Sequence, residues 1–374
     1  MEWGGAPVDR GCLVKVDPEE PDEDAVRRAA SALMKGGLVA FPTETVYGLG
    51  ADAFNADAAR RIFQVKGRPA DNPLIVHVEG PEGLWRVASS VPEEAWRLVE
   101  RLWPGPLTIV VPRDPIVPKV VTGGLETVAV RSPAHRVALK LIETANLPIA
   151  APSANRSGRP SPTSGLDVLR DLDCSVDLIL DAGETFFGVE STIIDFTRHP
   201  PVVLRPGPIT PEDVERVIGV RPLVTPETRA LSTPPRPLAP GMKYRHYSPD
   251  AHLALLDEPG APPEGAARAL ACLAGRLQRG LGRTAILATD ETAGEIQSRG
   301  LWRDVWRLGP RGDPIVAARR LYRLLRRLDE EGYRAAAVEA VNEEGIGLAV
   351  MNRLRKASSE RYTLERALSL CPPH

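Results

Sequence analysis

The chain has 374 residues, of which 43% are apolar and 26% are charged, and its formal net charge is −2. This composition is typical of a globular protein long enough for two domains, and it argues against attraction to RNA or to anionic membranes by bulk charge. Four widely spaced cysteines without a C-x-x-C pair indicate neither a zinc site nor a disulfide framework, and no apolar run approaches the ~20 residues that span a bilayer, so we expect a soluble protein of the reducing cytoplasm.

The first predicted elements lead to a cluster of polar residues. An amphipathic run over residues 25–35 predicts a helix that ends at Gly36 and Gly37, and the apolar residues 38–41 predict a short buried strand. The following segment, PTETVYGLG, places hydroxyl groups and a glutamate at the carboxyl end of that strand, where α/β proteins usually bind their ligands. We read Gly48 and Gly50 as part of this exit loop.

A second polar segment, KGRPADNPL, covers residues 66–74 and follows another predicted helix. It carries Lys66 and Arg68 on a loop that Pro69 and Pro73 keep from being helical. Two cations on a stiff loop beside hydroxyl groups suit a small anionic ligand such as phosphate, although the chain contains neither a Walker A motif nor a complete dinucleotide-binding fingerprint. The structural alternative is a strand followed by a proline-rich, solvated loop.

Several predicted strands of the first half end on polar or cationic residues. After residues 38–41, the strands are predicted near residues 74–78, 127–131, 147–151 and 202–205. The residues at or just beyond these ends are Thr45, His77, Arg131, Ser153 and Arg205. One arginine at a strand end is unremarkable, but the repetition indicates that the ends converge on a single cleft.

The proline-rich residues 221–250 predict a linker between a catalytic domain over residues 11–220 and a smaller domain over residues 251–374. The linker ends in PGMKYRHYSP, which is unusually rich in aromatic and basic residues for a passive spacer. It could fold over a ligand as a lid, and a solvated linker is the alternative. The remaining sequence alternates between strands and helices, which predicts a small parallel sheet to which we assign no chemistry.

Taken together, PTETVYGLG, KGRPADNPL, SANRSG, STIIDF and LRPG, followed by PGMKYRHYSP and a second α/β domain, closely resemble the two-domain threonylcarbamoyl-AMP synthases. Five motifs in order are far more specific than any one of them. The resemblance implies an α/β fold class: a YrdC-like domain with a twisted mixed sheet, helices and a large cleft, plus a smaller Rossmann-like parallel α/β domain. It also implies an enzyme that joins L-threonine, bicarbonate and ATP into threonylcarbamoyl-AMP and releases pyrophosphate.

The resemblance extends to individual residues and partners. Positions that match threonine-binding residues of the family are Thr45, His77, Arg131, Ala151 and Ser191. Positions that match ATP-binding residues are Arg68, Asn72, Thr127, Ser153, Asn155, Ser161, Arg205 and, in the linker, Tyr244 or a neighbour. Magnesium would enter with ATP, so no metal ligands are expected from the protein. A separate transferase would then place the threonylcarbamoyl group on adenosine 37 of tRNAs that read codons starting with A.

The chemistry of that reaction agrees with the residues. A carbamate formed from threonine and bicarbonate must attack the α-phosphorus of ATP, so two anions meet, and fixed cations are needed more than a protein nucleophile. Lys66 and Arg68 are therefore the predicted catalytic residues, with Arg131 pairing with the threonine carboxylate. We assign no general base, because a strand-end glutamate such as Glu44 is more often a structural hydrogen-bond acceptor.

Two alternative functions use the same cleft. The first is an RNA-binding module without catalysis, against which the slightly acidic net charge and the lack of interleaved aromatic and basic residues argue. A local basic groove could still make weak contact with RNA. The second is a carbamoyltransferase that uses carbamoyl phosphate, since YrdC-like domains occur in such enzymes, but the chain has no counterpart of their accessory zinc-finger or acylphosphatase segments.

Overall fold

The computed structural model describes residues 11–243 and 246–371. Its first part contains β1 (Leu13–Lys15), α1 (Glu23–Met34), β2 (Val39–Phe41), β3 (Gly48–Asp52), α2 (Ala56–Lys66), β4 (Ile75–His77), a 3₁₀ helix (Pro81–Arg86), α3 (Glu93–Leu102), β5 (Leu107–Pro112), β6 (Thr127–Arg131), α4 (Arg136–Ala145), β7 (Ile149–Ala151), α5 (Gly165–Leu172), β8 (Leu178–Asp181), β9 (Thr192–Asp195), β10 (Val202–Arg205) and α6 (Pro211–Ile218). The second part contains β11 (His252–Leu256), α7 (Pro263–Leu281), β12 (Thr284–Ala288), α8 (Asp290–Ser298), β13 (Val305–Arg307), α9 (Pro314–Glu330), β14 (Ala335–Glu339), α10 (Gly347–Ala357), β15 (Glu360–Tyr362) and α11 (Leu364–Leu368).

The strands form two separate sheets. A ten-stranded mixed sheet has the order β1-β8-β2-β3-β7-β4-β6-β5-β9-β10, and a five-stranded, all-parallel sheet has the order β13-β12-β14-β11-β15. Helices α1 and α4 cover one face of the large sheet, and α2, α3, α5 and α6 cover the other. On the small sheet, α9 and α10 pack on one face and α7, α8 and α11 on the other. The predicted fold class is confirmed.

The two parts share a hydrophobic core. The cluster beneath α9 and α10 also contains Val46 from the loop after β2, Val189 from the loop before β9, and Tyr247 from the segment that leads to β11. Helices α9 and α10 therefore lie directly against loops of the first sheet. No helix or strand is assigned between α6 and β11 in the described part of that segment, as its proline content predicts. The exact domain bounds stay a prediction.

Strand β3 corrects our interpretation of Gly48 and Gly50 as parts of an exit loop. Both glycines lie in β3, which pairs antiparallel with β2. A Cβ atom at Gly50 would lie 2.6 Å from a methyl carbon of Ile149 and 2.8 Å from the ring of Phe41. Glycine is thus required by close packing against the neighbouring side chains, which a local reading of the sequence does not reveal. The sequence also does not predict the short elements β1, α5, β15 and α11.

Two disulfides contradict the expectation that the cysteines form none. Cys12 is bonded to Cys174 and Cys272 to Cys371, across 162 and 99 residues of sequence. Cys12 directly precedes β1 and Cys174 lies in the loop that leads into β8, and because these strands are parallel neighbours both cysteines lie at the same edge of the sheet. Because disulfides are rare in reducing compartments, the cysteines no longer support our expectation of one. Among the described helices, none is both long and apolar enough to cross a membrane.

Candidate active site

A cavity opens where several strands of the large sheet end. The five strand-end residues predicted to converge all line it: Thr45, His77, Arg131, Ser153 and Arg205. Their proximity follows from the sheet, since β4 and β6 are parallel neighbours and His77 is the register partner of Arg131. The predicted site residues Lys66, Arg68, Ala151, Asn155 and Ser161 line the same cavity. The sequence therefore predicted the convergence correctly.

Three predicted site residues do not line the cavity. Asn72 is fully buried and its backbone carbonyl oxygen accepts a hydrogen bond from Arg68 Nε at 3.1 Å. Ser191 Oγ accepts one from Arg205 Nη2 at 3.0 Å. Thr127 begins β6, at the opposite end from Arg131, which separates the two residues by ~13 Å along the strand. A fourth, Tyr244, lies outside the described residues.

Arg68 presents a fixed positive charge to the cavity. Its Nε and Nη2 atoms donate to the carbonyl oxygens of Asn72 and Pro73, at 3.1 and 2.9 Å, which fixes the guanidinium plane. Burial lowers the pKa of Arg68 to about 10, a value that still leaves the group charged at neutral pH. The cation is thus both oriented and permanent under ordinary conditions.

Lys66 makes different contacts from those of Arg68. It is 3% exposed, and its Nζ atom donates to the backbone carbonyl oxygens of Ser153 and Asn155. Burial, together with the charge of Arg68, lowers the pKa of Lys66 well below its usual value. In this geometry the amine holds the polar loop that follows β7, so its predicted role at the phosphates stays a prediction.

Another part of the cavity wall is built around Arg131. Its Nη1 atom donates to Thr45 Oγ1 at 2.8 Å, and its Nη2 atom pairs with Glu44 Oε1 at 2.7 Å. Next to it, burial and the charge of Arg131 lower the pKa of His77 to about 3, so the imidazole is neutral at physiological pH. A neutral imidazole beside a buried guanidinium can make polar contacts with a small anionic ligand without adding charge.

Comparison with known proteins identifies the type of site. Residues 31–207 match a family model described as "Telomere recombination", and residues 209–359 match one described as "Threonylcarbamoyl-AMP synthase, C-terminal domain". The chain is similar to the threonylcarbamoyl-AMP synthase of Pyrococcus abyssi, with 46% identity over 92% of this chain and 96% of that protein. The chain belongs to the threonylcarbamoyl-AMP synthase family.

Two further similarities agree with membership of the threonylcarbamoyl-AMP synthase family. The enzyme of that name from Bacillus subtilis is 43% identical over 92% of this chain and 96% of its own length. A crystal structure of P. abyssi Sua5 complexed with L-threonine superimposes with a TM-score of 0.84, at 45% identity, covering 94% of this chain and 99% of that one. The resemblance found from the motifs is confirmed.

In this member of the threonylcarbamoyl-AMP synthase family, the end of the proline-rich segment forms part of the cavity wall. Pro240, Gly241, His246 and Tyr247 all line it. Gly241 has a φ of +83°, and a Cβ atom there would lie 2.5 Å from the hydroxyl of Tyr247, so both conformation and space require glycine. These contacts agree with the lid interpretation of the segment.

The contacts of Glu190 in this family member could not be predicted from the sequence. The carboxylate lines the cavity and is bound by Tyr322 and Arg353, which belong to α9 and α10 of the second part of the chain. The sequence alone assigns no chemistry to that part. No local signal identifies these residues, because an arginine or tyrosine in an amphipathic helix is normally part of a solvated or core face.

Proposed function

We propose that this chain is a threonylcarbamoyl-AMP synthase that uses L-threonine, bicarbonate and ATP and releases pyrophosphate. The observation that carries the proposal is one cavity lined by Arg68, Arg131 and Arg205 in a chain with this family membership. A reaction between a carbamate and a triphosphate needs this concentration of positive charge, because both reactants are anionic.

On the ATP side, the contribution of the protein would be electrostatic and positional. Arg68 and Arg205 are held by backbone carbonyl oxygens, Arg68 by Pro73 at 2.9 Å and Arg205 by Ser191 at 3.1 Å. Guanidinium groups fixed in this way can bind phosphate oxygens in pairs without being reoriented during the reaction. No protein nucleophile is needed, since the carbamate oxygen itself attacks the α-phosphorus.

On the threonine side, Arg131 would bind the amino-acid carboxylate. Its contact with Glu44 fixes the guanidinium but also means that Glu44 is occupied as a partner. This ion pair supports a structural role for Glu44 rather than the role of a general base. Thr45, bound to the same guanidinium, and the neutral His77 would complete the polar wall around threonine.

We propose that magnesium enters this cavity as an ion carried by ATP. Within residues 11–243 and 246–371, no cluster of three His, Cys, Asp or Glu side chains could hold a metal ion. Glu190, a carboxylate that lines the cavity, is already bound by Arg353. Bound to the phosphates, magnesium would neutralise part of their charge and would keep several water ligands.

The part of the wall formed by Pro240, Gly241, His246 and Tyr247 would also protect the intermediates. A carbamate and a mixed phosphate anhydride both hydrolyse readily, so a cover that excludes water favours productive transfer. As the resemblance to the synthases implies, the product would then pass to a separate transferase that modifies adenosine 37 of tRNA. This chain would need at most weak RNA contact for that step.

The test is pyrophosphate release from ATP with threonine and bicarbonate supplied singly and together, and with the nucleotide product analysed by chromatography. Release that requires both co-substrates, with threonylcarbamoyl-AMP as product, is the expected result. Release from ATP alone contradicts the proposal. Activity only with carbamoyl phosphate would favour the carbamoyltransferase, and salt-sensitive RNA binding without turnover would favour the RNA-binding module.

A further inference from the structure

Glu190 is a buried carboxylate at the junction of the two parts of the chain. Its Oε1 atom accepts a hydrogen bond from Ser161 Oγ at 2.5 Å, and its two oxygens accept bonds from Tyr322 at 3.1 and 2.9 Å. Its Oε2 atom lies 3.0 Å from both Nε and Nη2 of Arg353. The carboxylate is 5% exposed and Arg353 is fully buried. These four residues, Ser161, Glu190, Tyr322 and Arg353, form the Glu190 cluster.

Arg353 holds more than the Glu190 carboxylate. Its Nη1 atom donates to the carbonyl oxygen of Pro206 at 2.6 Å, and its Nη2 atom lies 3.4 Å from the backbone carbonyl oxygen of Glu190. The two loops that it joins are in close contact, because a Cβ atom at Gly207 would lie 2.2 Å from the amide nitrogen of Thr192. One side chain of α10 therefore fixes the loop before β9 and the loop after β10 relative to each other.

These loops carry residues that belong to the cavity. Arg205 immediately precedes Pro206, and its guanidinium donates to Ser191, the residue that follows Glu190. Ser161, a third cavity residue, donates to the Glu190 carboxylate. Arg353 thus connects to Arg205 through Pro206 and Ser191, and to Ser161 through Glu190.

Arg353 also contacts the cavity wall contributed by the proline-rich segment. Its guanidinium carbon lies 5.5 Å from the ring centroid of Tyr247, and that ring stacks on Tyr322 at 5.5 Å with an interplanar angle of 26°. A cation over an aromatic face in a desolvated site is stabilising. The same two helices that bind Glu190 therefore also bind the covering segment.

We propose that Arg353 and Tyr322 are positioning residues for the synthase reaction, which set the place of Arg205 and Ser161 around the nucleotide by holding Glu190. The proposal rests on the proposed function, since it concerns the ATP side of that cavity. It gives the second part of the chain a defined role, because α9 and α10 complete the support of an active site whose substrate contacts come from the first part.

Charge supports this assignment. Burial alone raises the pKa of Glu190, but the charges of Arg353 and Arg205 lower it to about 2, so the carboxylate is ionised. The other titratable groups that act electrostatically with it are Tyr247, Tyr322, His246 and Lys356. Without Arg353, the Glu190 carboxylate would lose its main counter-charge. Protonation of Glu190 would then weaken its hydrogen bonds with Ser161 and Tyr322.

The test uses the full-length chain with Arg353→Lys, Tyr322→Phe and Arg353→Met. Lysine keeps the charge but offers one nitrogen in place of the three guanidinium nitrogens that contact Glu190 and Pro206. We therefore expect KM and Kd for ATP to rise at least ~10-fold, with a smaller change for threonine. Tyr322→Phe is expected to move the same constants in the same direction. Arg355→Lys is the matched control, because Arg355 lies on the same helix, is 6% exposed and pairs with Asp257 rather than with the cavity.

A pH profile separates positioning from a general loss of stability. In Arg353→Met, activity should fall at a higher pH on the acidic side than in the wild type, and the Glu190→Gln/Arg353→Met double variant should lack this shift. If Arg353→Met does not fold, the other two variants carry the test. ATP constants within twofold of wild type in both Arg353→Lys and Tyr322→Phe would overturn the inference. Inactive wild-type protein would instead refute the proposed function, and ATP affinity measured by calorimetry would still test the positioning role.

Discussion

Replacing Lys66 by methionine tests what the buried amine does. Lys66 Nζ donates to the carbonyl oxygens of Ser153 and Asn155, and through them it holds the polar loop after β7. Methionine has a similar length and packs in the same space but has no donor. The variant therefore leaves two buried carbonyl oxygens without this hydrogen-bond partner while it keeps the apolar contacts of the side chain.

The expected loss of stability follows from these two contacts. An acceptor left unsatisfied in the interior costs about 1–3 kcal/mol. Part of that loss is offset, because the variant no longer buries an amine whose pKa burial lowers well below the usual value. We therefore expect the free energy of unfolding to fall by about 2–3 kcal/mol, as measured by urea denaturation.

Activity of the Lys66→Met variant should change in a specific way. If the amine holds the loop that carries Ser153 and Asn155, KM for ATP rises while most of kcat at saturating ATP is retained. Lys119→Met is the control, since Lys119 is 65% exposed and does not line the cavity. A variant as stable as the wild type that has lost kcat would refute this reasoning and would place Lys66 at the reacting phosphates instead.

Three other outcomes can be checked on the same protein. Arg68→Ala should lower pyrophosphate release at least ~100-fold without unfolding the protein. Arg60→Ala, a change at an exposed side chain, should leave the release unchanged. An unfolded Arg68→Ala variant would instead indicate a structural role. Reducing the Cys12–Cys174 disulfide, which spans 162 residues, should lower the free energy of unfolding by about 5 kcal/mol, and free thiols in the untreated protein would contradict the bond. Burial lowers the pKa of Lys356 from 10.5 to about 7, so between these values the unfolded chain holds more protons and this group makes stability rise with pH, by at most about 5 kcal/mol. Lys356→Met should therefore reduce the gain in stability between pH 7 and pH 10, as measured by unfolding.

The sequence is most informative where structure is determined locally. Strand ends are predictable because apolar runs stop at polar residues, and the convergence of His77 and Arg131 follows from two parallel strands ending at one edge. Strand β3 could not be predicted because its glycines are required by close contact with the ring of Phe41 on the neighbouring strand. The site residues themselves come from ordered motifs rather than from spacing or periodicity.

What could not be predicted depends on contacts between distant segments. Glu190 and Arg353 are separated by 163 residues, and each belongs to a local pattern with an ordinary structural explanation. The cysteine pairs are also distant in the chain, so their spacing gives no indication of contact. Such pairs become visible only when the packing of α9 and α10 against the first sheet is known.

The bond between Cys12 and Cys174 encloses most of the segments that form the cavity, including those that carry Arg68, Arg131 and Ser153. A protease that cuts an exposed turn between these cysteines would produce two fragments that remain covalently attached. Nicked protein would therefore migrate as an uncut chain in electrophoresis without reductant and would separate into pieces only once a thiol is added. The catalytic domain would therefore keep all the segments that form its cavity after a single backbone cleavage.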